Sequence, residues 1–185
     1  MKLKYRLLDH PFYQSWSSGK VTDEQLSRYA SSYLDFIREI PNYWQKCILG
    51  LNASSEQAQI IINEECSHIT LWEEFASKLP DSEDYPVMND LLNAFRDMSP
   101  SELLGAIHSF EIQQPEVAKT KMNGLIKFYG FSFEEVKYFD AHLHEDEHIK
   151  FGSKLMSEFA NIKEFQHGFE VGAELIYKSL DLFLN

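Results

Sequence analysis

Apolar residues recur along this chain every three or four positions, almost from end to end. That is the period of a helix with one buried face. The clearest run is Leu26, Tyr29, Ala30, Tyr33, Phe36 and Ile37. It opens on Thr22 with Gln25 three residues later, a capping box in which each side chain satisfies a backbone N–H of the first turn. Pro41 removes one such N–H and crowds the preceding turn. The rhythm resumes at Tyr43, Trp44 and Ile48, so the pattern predicts a kinked helix rather than an ended one. Ser54 with Gln57 opens a second helix running to about Leu79. A polar loop follows over residues 80–85, then a shorter helix over 86–98. Ser99 and Glu102 form another capping box, with Pro100 at the first helical position. Pro115 marks a kink or short break. Helix then continues to Tyr129, where Gly130 suits the C-terminal cap. Ser132 with Glu135 and Asn161 with Glu164 open the last two helices. No segment shows the two-residue alternation of a strand. The fold class expected is all-α: one bundle of about seven helices, a single domain over residues 1–185.

Composition narrows the function. Apolar residues make up 44% of the 185 and aromatics 14%, enough for a large core. The net charge of −12 argues against nucleic-acid binding, which needs a basic patch. No apolar run reaches the roughly 20 residues that span a bilayer, so no membrane partner is expected. The N-terminus lacks the apolar centre of a secretory signal. The two cysteines, Cys47 and Cys66, form no CxxC pair and no disulfide framework, so a cytoplasmic location is expected.

Against that background one segment stands out. YFDAHLHEDEH, residues 138–148, holds His142, His144, Glu145, Asp146, Glu147 and His148 within seven positions. Its neighbours Phe133, Val136, Phe139, Leu143 and Phe151 mark a buried face, so the helix reads as a metal-site candidate. A di-metal carboxylate site in a bundle draws about four to six ligands from several helices. Two other places qualify. Glu64 and Glu65 lie four and three residues before His68, so either carboxylate shares a helical face with the imidazole. Glu111 sits in a largely apolar helix after Ile107 and Phe110.

Taken together, these segments resemble the heme-oxygenase-like di-metal proteins, and specifically the CADD family of para-aminobenzoate synthases, relatives of the TenA thiaminases and pyrroloquinoline-quinone synthase. The resemblance runs from about His10 to the C-terminal helix. It is carried by HPFYQSWSSGKVTDEQLSRYASSY, NEECSHITLWEEF, SFEIQQPEVAKTKMNGLIKFYGF and YFDAHLHEDEH, in that order. It implies an oxygen-dependent dinuclear enzyme that forms para-aminobenzoate, a folate precursor, from its own tyrosine, with a lysine supplying nitrogen. The metal ligands it implies are Glu64, His68, Glu111, His142, Asp146 and His148. Tyr13 and Lys121 match the tyrosine and the lysine, and Tyr138 matches a further active-site tyrosine. The cofactors implied are two metal ions, Fe or Fe/Mn, with O2 as co-substrate and an external reductant. Homodimers are common for the fold.

This sequence departs from the family pattern in three places. The family separates its first Glu and His by seven residues, and here Glu64 and His68 are four apart, so Glu65 is an alternative ligand. The family's last His, Asp and His fall at i, i+4 and i+7. Here His148 falls at i+6 from His142, roughly 120° off its face at about 100° per residue. Glu145 or His144 then replaces a ligand, or a local irregularity of the helix restores the set. Phe110 stands where the family usually has a tyrosine. Three other functions stand as alternatives: a TenA-like aminopyrimidine hydrolase using Cys66 or Cys47, a di-metal oxidase of an exogenous substrate, and a non-catalytic helical binding protein with a degenerate site, which the residue missing from the last motif supports.

Overall fold

A computed structural model describes every residue except Asp81, Glu83, Glu145 and Asn185, and of His144 it describes the backbone alone. Among the described residues the architecture is all-α. The helices are α1 (Pro11–Ser17), α2 (Asp23–Gly50), α3 (Glu56–Ala76), α4 (Asn89–Asp97), α5 (Pro100–Glu111), α6 (Gln114–Phe128), α7 (Lys137–Ala141), α8 (Asp146–Glu158) and α9 (Ile162–Ser179). Short 3-10 turns at Leu7–Asp9, Phe133–Val136, His142–His144 and Leu180–Phe183 complete it.

Local sequence explains most of the boundaries. The capping boxes of Thr22 and Ser99 form as the pattern predicts. Pro41 lies inside an unbroken α2 of 28 residues. Ser55, not Ser54, caps α3, accepting from the Ala58 N–H. Pro115 divides α5 from α6 by occupying the first turn of the latter. Gly130, at φ +75°, ends α6 in the left-handed region that side chains disfavour. Two further expectations fail. The shorter helix covers only Asn89–Asp97. Ser132 and Glu135 open a 3-10 turn, and the helix expected to carry the cluster is broken into α7, a second 3-10 turn and α8.

The centre of the bundle is α5, buried on nearly every side. A helix apolar all round belongs in the core. It lies against α9 at backbone contact, because glycines face it. A Cβ at Gly168 would overlap the Glu102 carbonyl, and one at Gly105 the Phe165 carbonyl. At Gly172 it would lie 2.5 Å from the Ala106 Cα. Gly168→Ala is therefore expected to destabilise the fold by about 1–3 kcal/mol, since neither backbone can yield cheaply. A fall in the urea midpoint without a change of slope checks it; an unchanged midpoint would mean the helices can separate freely.

Two tryptophans fasten the other layers. Trp72 on α3 donates its Nε1–H to the Ala30 carbonyl of α2 (2.9 Å). Trp16 on α1 donates to the Lys121 carbonyl of α6 (3.1 Å), over Gly124, whose missing side chain leaves room for the indole. The C-terminal turn closes over this end, with Phe183 packed on Phe12 and Tyr29 at 5.5 and 5.3 Å between ring centroids.

Candidate metal centre and the buried lysine

Three helices and one turn direct ionisable groups into the interior. On α3, Glu65 and His68 are buried three residues apart on one face, and Glu65 Oε2 accepts from His68 Nδ1 at 3.3 Å. Glu64, one residue earlier, points about 100° away. Its side chain is half exposed. On α5 the last residue is Glu111, 2% exposed. From α8 comes His148, also buried. His142 opens the 3-10 turn and is buried as well.

These groups converge. Ligand atoms of Glu65, Glu111 and His148 all lie within 4.8 Å of one another. His148 Nδ1 is 3.1 Å from Glu65 Oε1 and 3.9 Å from Glu111 Oε2, while its Nε2 is 3.0 Å from Glu64 Oε2. The His68 ring centroid lies 4.3 Å from that of His142 and 6.1 Å from that of His148. His142 Nδ1 donates to the Tyr138 carbonyl at 2.6 Å, which puts the proton on that nitrogen and the lone pair on Nε2. Burial alone would push the Glu65 carboxyl up. The hydrogen bonds and positive charge of His148 and His68 outweigh it and hold Glu65 below the usual carboxylate range.

The break in the helix explains how His142 and His148 share this interior despite their i,i+6 spacing. A continuous helix would set them about 120° apart. The 3-10 turn His142–His144 lies between α7 and α8 and changes the phase. Asp146 does not join the group: it is exposed at the start of α8. Two residues before His148 on the same helix, it faces nearly the opposite way, so only one of the two can point inward. Of the six expected ligands, the structure thus gathers His68, Glu111, His142 and His148, leaves Glu64 at the rim and Asp146 outside, and puts Glu65 where Glu64 was expected. Glu145 and the His144 side chain, which the i,i+6 spacing offers as substitute ligands, lie outside the described residues.

The donor set fits a metal ion. Glu65 and Glu111 bring two carboxylates into a buried space, where charge is costly unless neutralised. Mixed carboxylate and imidazole donors suit iron, manganese or zinc. Glu65, Glu111 and His148 would hold one ion, with His68 and His142 beside them.

A second buried group adjoins this one. Lys121 on α6 is 3% exposed. Its Nζ donates to the Tyr29 hydroxyl at 2.5 Å, and the Tyr29 and Tyr13 hydroxyls are hydrogen-bonded at 3.0 Å. The rings of Tyr13, Tyr29 and Tyr33 surround the amine at 4.7, 4.9 and 4.9 Å from their centroids. Burial holds the Lys121 pKa well below its ordinary value. It lifts those of Tyr13, Tyr29 and Tyr33 above theirs, so the phenols stay neutral. Tyr138 links the two groups. Its ring lies 4.1 Å from that of His142, and its side chain hydrogen-bonds Tyr33, which stacks on Tyr29 at 5.3 Å.

In the sequence, Tyr29 and Tyr33 read only as part of a core stripe. The signal available is the residue type: a tyrosine on a buried stripe carries a hydroxyl that needs a partner. Phe110 packs its ring against Phe36 and Tyr33 at 5.3 and 6.4 Å. Neither cysteine lies in this interior arrangement as a nucleophile would. Cys66 is exposed, and Cys47 is wholly buried with its thiol pushed up by burial.

Fold and site define a helical protein with a buried carboxylate–imidazole centre. The family model described as iron-containing redox enzyme matches residues 41–175, and the chain belongs to that family. It is 33% identical over 161 residues to the 4-aminobenzoate synthase of Chlamydia pneumoniae, spanning 76% of this chain and 70% of that protein. It is 30% identical over 188 residues to the 4-aminobenzoate synthase of Nitrosomonas europaea, spanning 86% and 76%. In fold it is similar to a domain of unknown function with a heme oxygenase-like fold from Shewanella denitrificans (TM-score 0.74, 14% identity, 95% of this chain and 84% of that one). A TenA homolog from Pseudomonas syringae is also similar (TM-score 0.70, 13% identity, 97% and 86%). The fold is heme oxygenase-like. No helix among the described residues is long and apolar enough to cross a membrane.

Proposed function

We propose that this enzyme forms 4-aminobenzoate from its own Tyr13, with Lys121 supplying the nitrogen. The observation that carries the reading is the setting of Lys121: a buried amine, depressed in pKa, enclosed by tyrosine rings and bonded to the phenol that also holds Tyr13. The relatives named 4-aminobenzoate synthase support it. When bound at Glu65, Glu111, His148, His68 and His142, two ions of iron, or of iron and manganese, supply the activation of dioxygen on which oxidation of a phenol depends.

The chain's residues do the rest. Burial disfavours the charged form of the Lys121 amine and so favours the neutral, nucleophilic one. Tyr29 places that amine and the Tyr13 phenol on one hydroxyl, fixing their approach. The aromatic rings fill the space around Nζ and exclude water, so the substrate already in place is a side chain. That filling favours an internal substrate over an exogenous one.

Isotope labelling tests this. Protein grown with ring-13C tyrosine and 15N lysine is loaded with iron and manganese, then given oxygen and a reductant. The expected 4-aminobenzoate carries both labels, at no more than one molecule per chain, and Tyr13→Phe yields none. Absence of product from the unmodified chain, or an unlabelled product, would sink the proposal.

A further inference from the structure

We infer that Glu64 is the orienting carboxylate of the metal centre rather than one of its ligands, and that His148 meets the metal through Nδ1. The inference rests on the metal-enzyme reading above but concerns the donor set alone.

The two ring nitrogens of buried His148 face different surroundings. Nδ1 looks inward to Glu65 Oε1 at 3.1 Å and Glu111 Oε2 at 3.9 Å, both on carboxylates 5% exposed or less. Nε2 looks outward to Glu64 Oε2 at 3.0 Å, on a side chain half open to solvent. A neutral imidazole has one lone pair and one N–H, so the nitrogen that binds a cation leaves the proton to the other. A cation held between the two buried carboxylates would take the place of the Nδ1 proton that now faces Glu65. A solvated carboxylate on the Nε2 side needs only an N–H.

Helix geometry divides the labour between adjacent glutamates. Glu65 shares the inner face of α3 with His68, and Glu64, about 100° round the helix, reaches only the rim. His142 follows the same plan with a different acceptor. Its Nδ1–H is held by the Tyr138 carbonyl, which fixes its tautomer from outside. An outer acceptor on a ligating histidine orients the ring and raises its basicity, and losing one costs about 10–100-fold in metal affinity.

Metal binding, not product formation, is the test. Metal-free protein is titrated with manganese(II), and the free ion is followed by its EPR signal. Glu64→Ala is expected to keep the wild-type number of bound ions with affinity lower by about 10–100-fold. Glu64→Gln, whose amide oxygen still accepts from Nε2–H, should lose less. Glu65→Gln should lose an ion. In unsubstituted protein loaded with diamagnetic zinc(II), 15N-histidine NMR should show His148 protonated at Nε2 and metal-bound at Nδ1. This last measurement needs no variant to fold. The inference is overturned if His148 binds through Nε2 or if Glu64→Ala loses an ion while Glu65→Gln keeps all. It is equally overturned if Glu64→Ala binds within twofold of wild type, or if the unmodified chain binds no ion. A chain that binds metal as described yet makes no 4-aminobenzoate would fail the functional proposal and leave this one standing.

Discussion

Lys121→Met is expected to abolish 4-aminobenzoate formation and, at the same time, to make the protein more stable. The two effects share one cause. An amine 3% exposed among aromatic rings gives up most of its hydration and recovers a bond to Tyr29. Burying a polar group with incomplete compensation costs about 1–3 kcal/mol. Methionine fills a similar volume without that cost, and Tyr29 keeps its bond to Tyr13. The urea midpoint at pH 7 should therefore rise while product falls below detection. The pH dependence gives a separate check. Lysine in the unfolded chain titrates near 10.5, and burial sets the folded value well below it. Between those values the unfolded chain holds a proton that the folded chain does not. The contribution of the neutral folded amine is thus complete above 10.5 and is lost as pH falls through the window toward the folded value. The stability gap between Lys121→Met and the wild type should therefore narrow as pH rises through that window toward 10.5. Product at the wild-type level from the variant would show that the nitrogen comes from elsewhere. A lower midpoint would show that the amine is a structural partner instead.

The helices were legible because each reports itself locally. Thr22 with Gln25 and Ser99 with Glu102 announce their starts within four residues, and the apolar stripe between such signals has a single period. The defect in the third motif was also legible, as a spacing of six between His142 and His148. Its resolution was not. A short polar stretch can continue a helix or break it, and burial of His142 and His148 in the tertiary structure decides which. Glu64 and Glu65 pose the same problem. Each shares a face with His68, at i+4 and i+3, so periodicity cannot rank them. Glu111 and His148, 46 and 83 residues beyond Glu65, occupy one side of α3 and settle it. Tyr29 was hidden for a similar reason. On its own helix it is one more buried aromatic, and the partner that gives its hydroxyl a purpose, Lys121, lies 92 residues away. Local signals specify elements; the chemistry arises where distant elements meet.

Manganese(II) is expected to raise the unfolding temperature of the metal-free protein substantially, and Glu111→Ala should cancel the rise. Glu111 is the last residue of α5, where the helix dipole places partial negative charge, and it is 2% exposed. Glu65 adds a second buried carboxylate within 4.8 Å. A cation between them relieves both repulsions and binds only the folded chain, since the ligands come from α3, α5 and α8. Binding at a thousandfold excess over Kd adds about 4 kcal/mol of stability, which for a chain of this size shifts the midpoint by roughly 10 °C. Glu111→Ala removes one carboxylate from the group and with it most of that shift. Calorimetric scans of both proteins, with and without manganese(II) and after chelation, give the midpoints required. A wild-type midpoint indifferent to the ion, or a full shift retained by Glu111→Ala, would mean that the convergence of Glu65, Glu111 and His148 serves packing and not a metal.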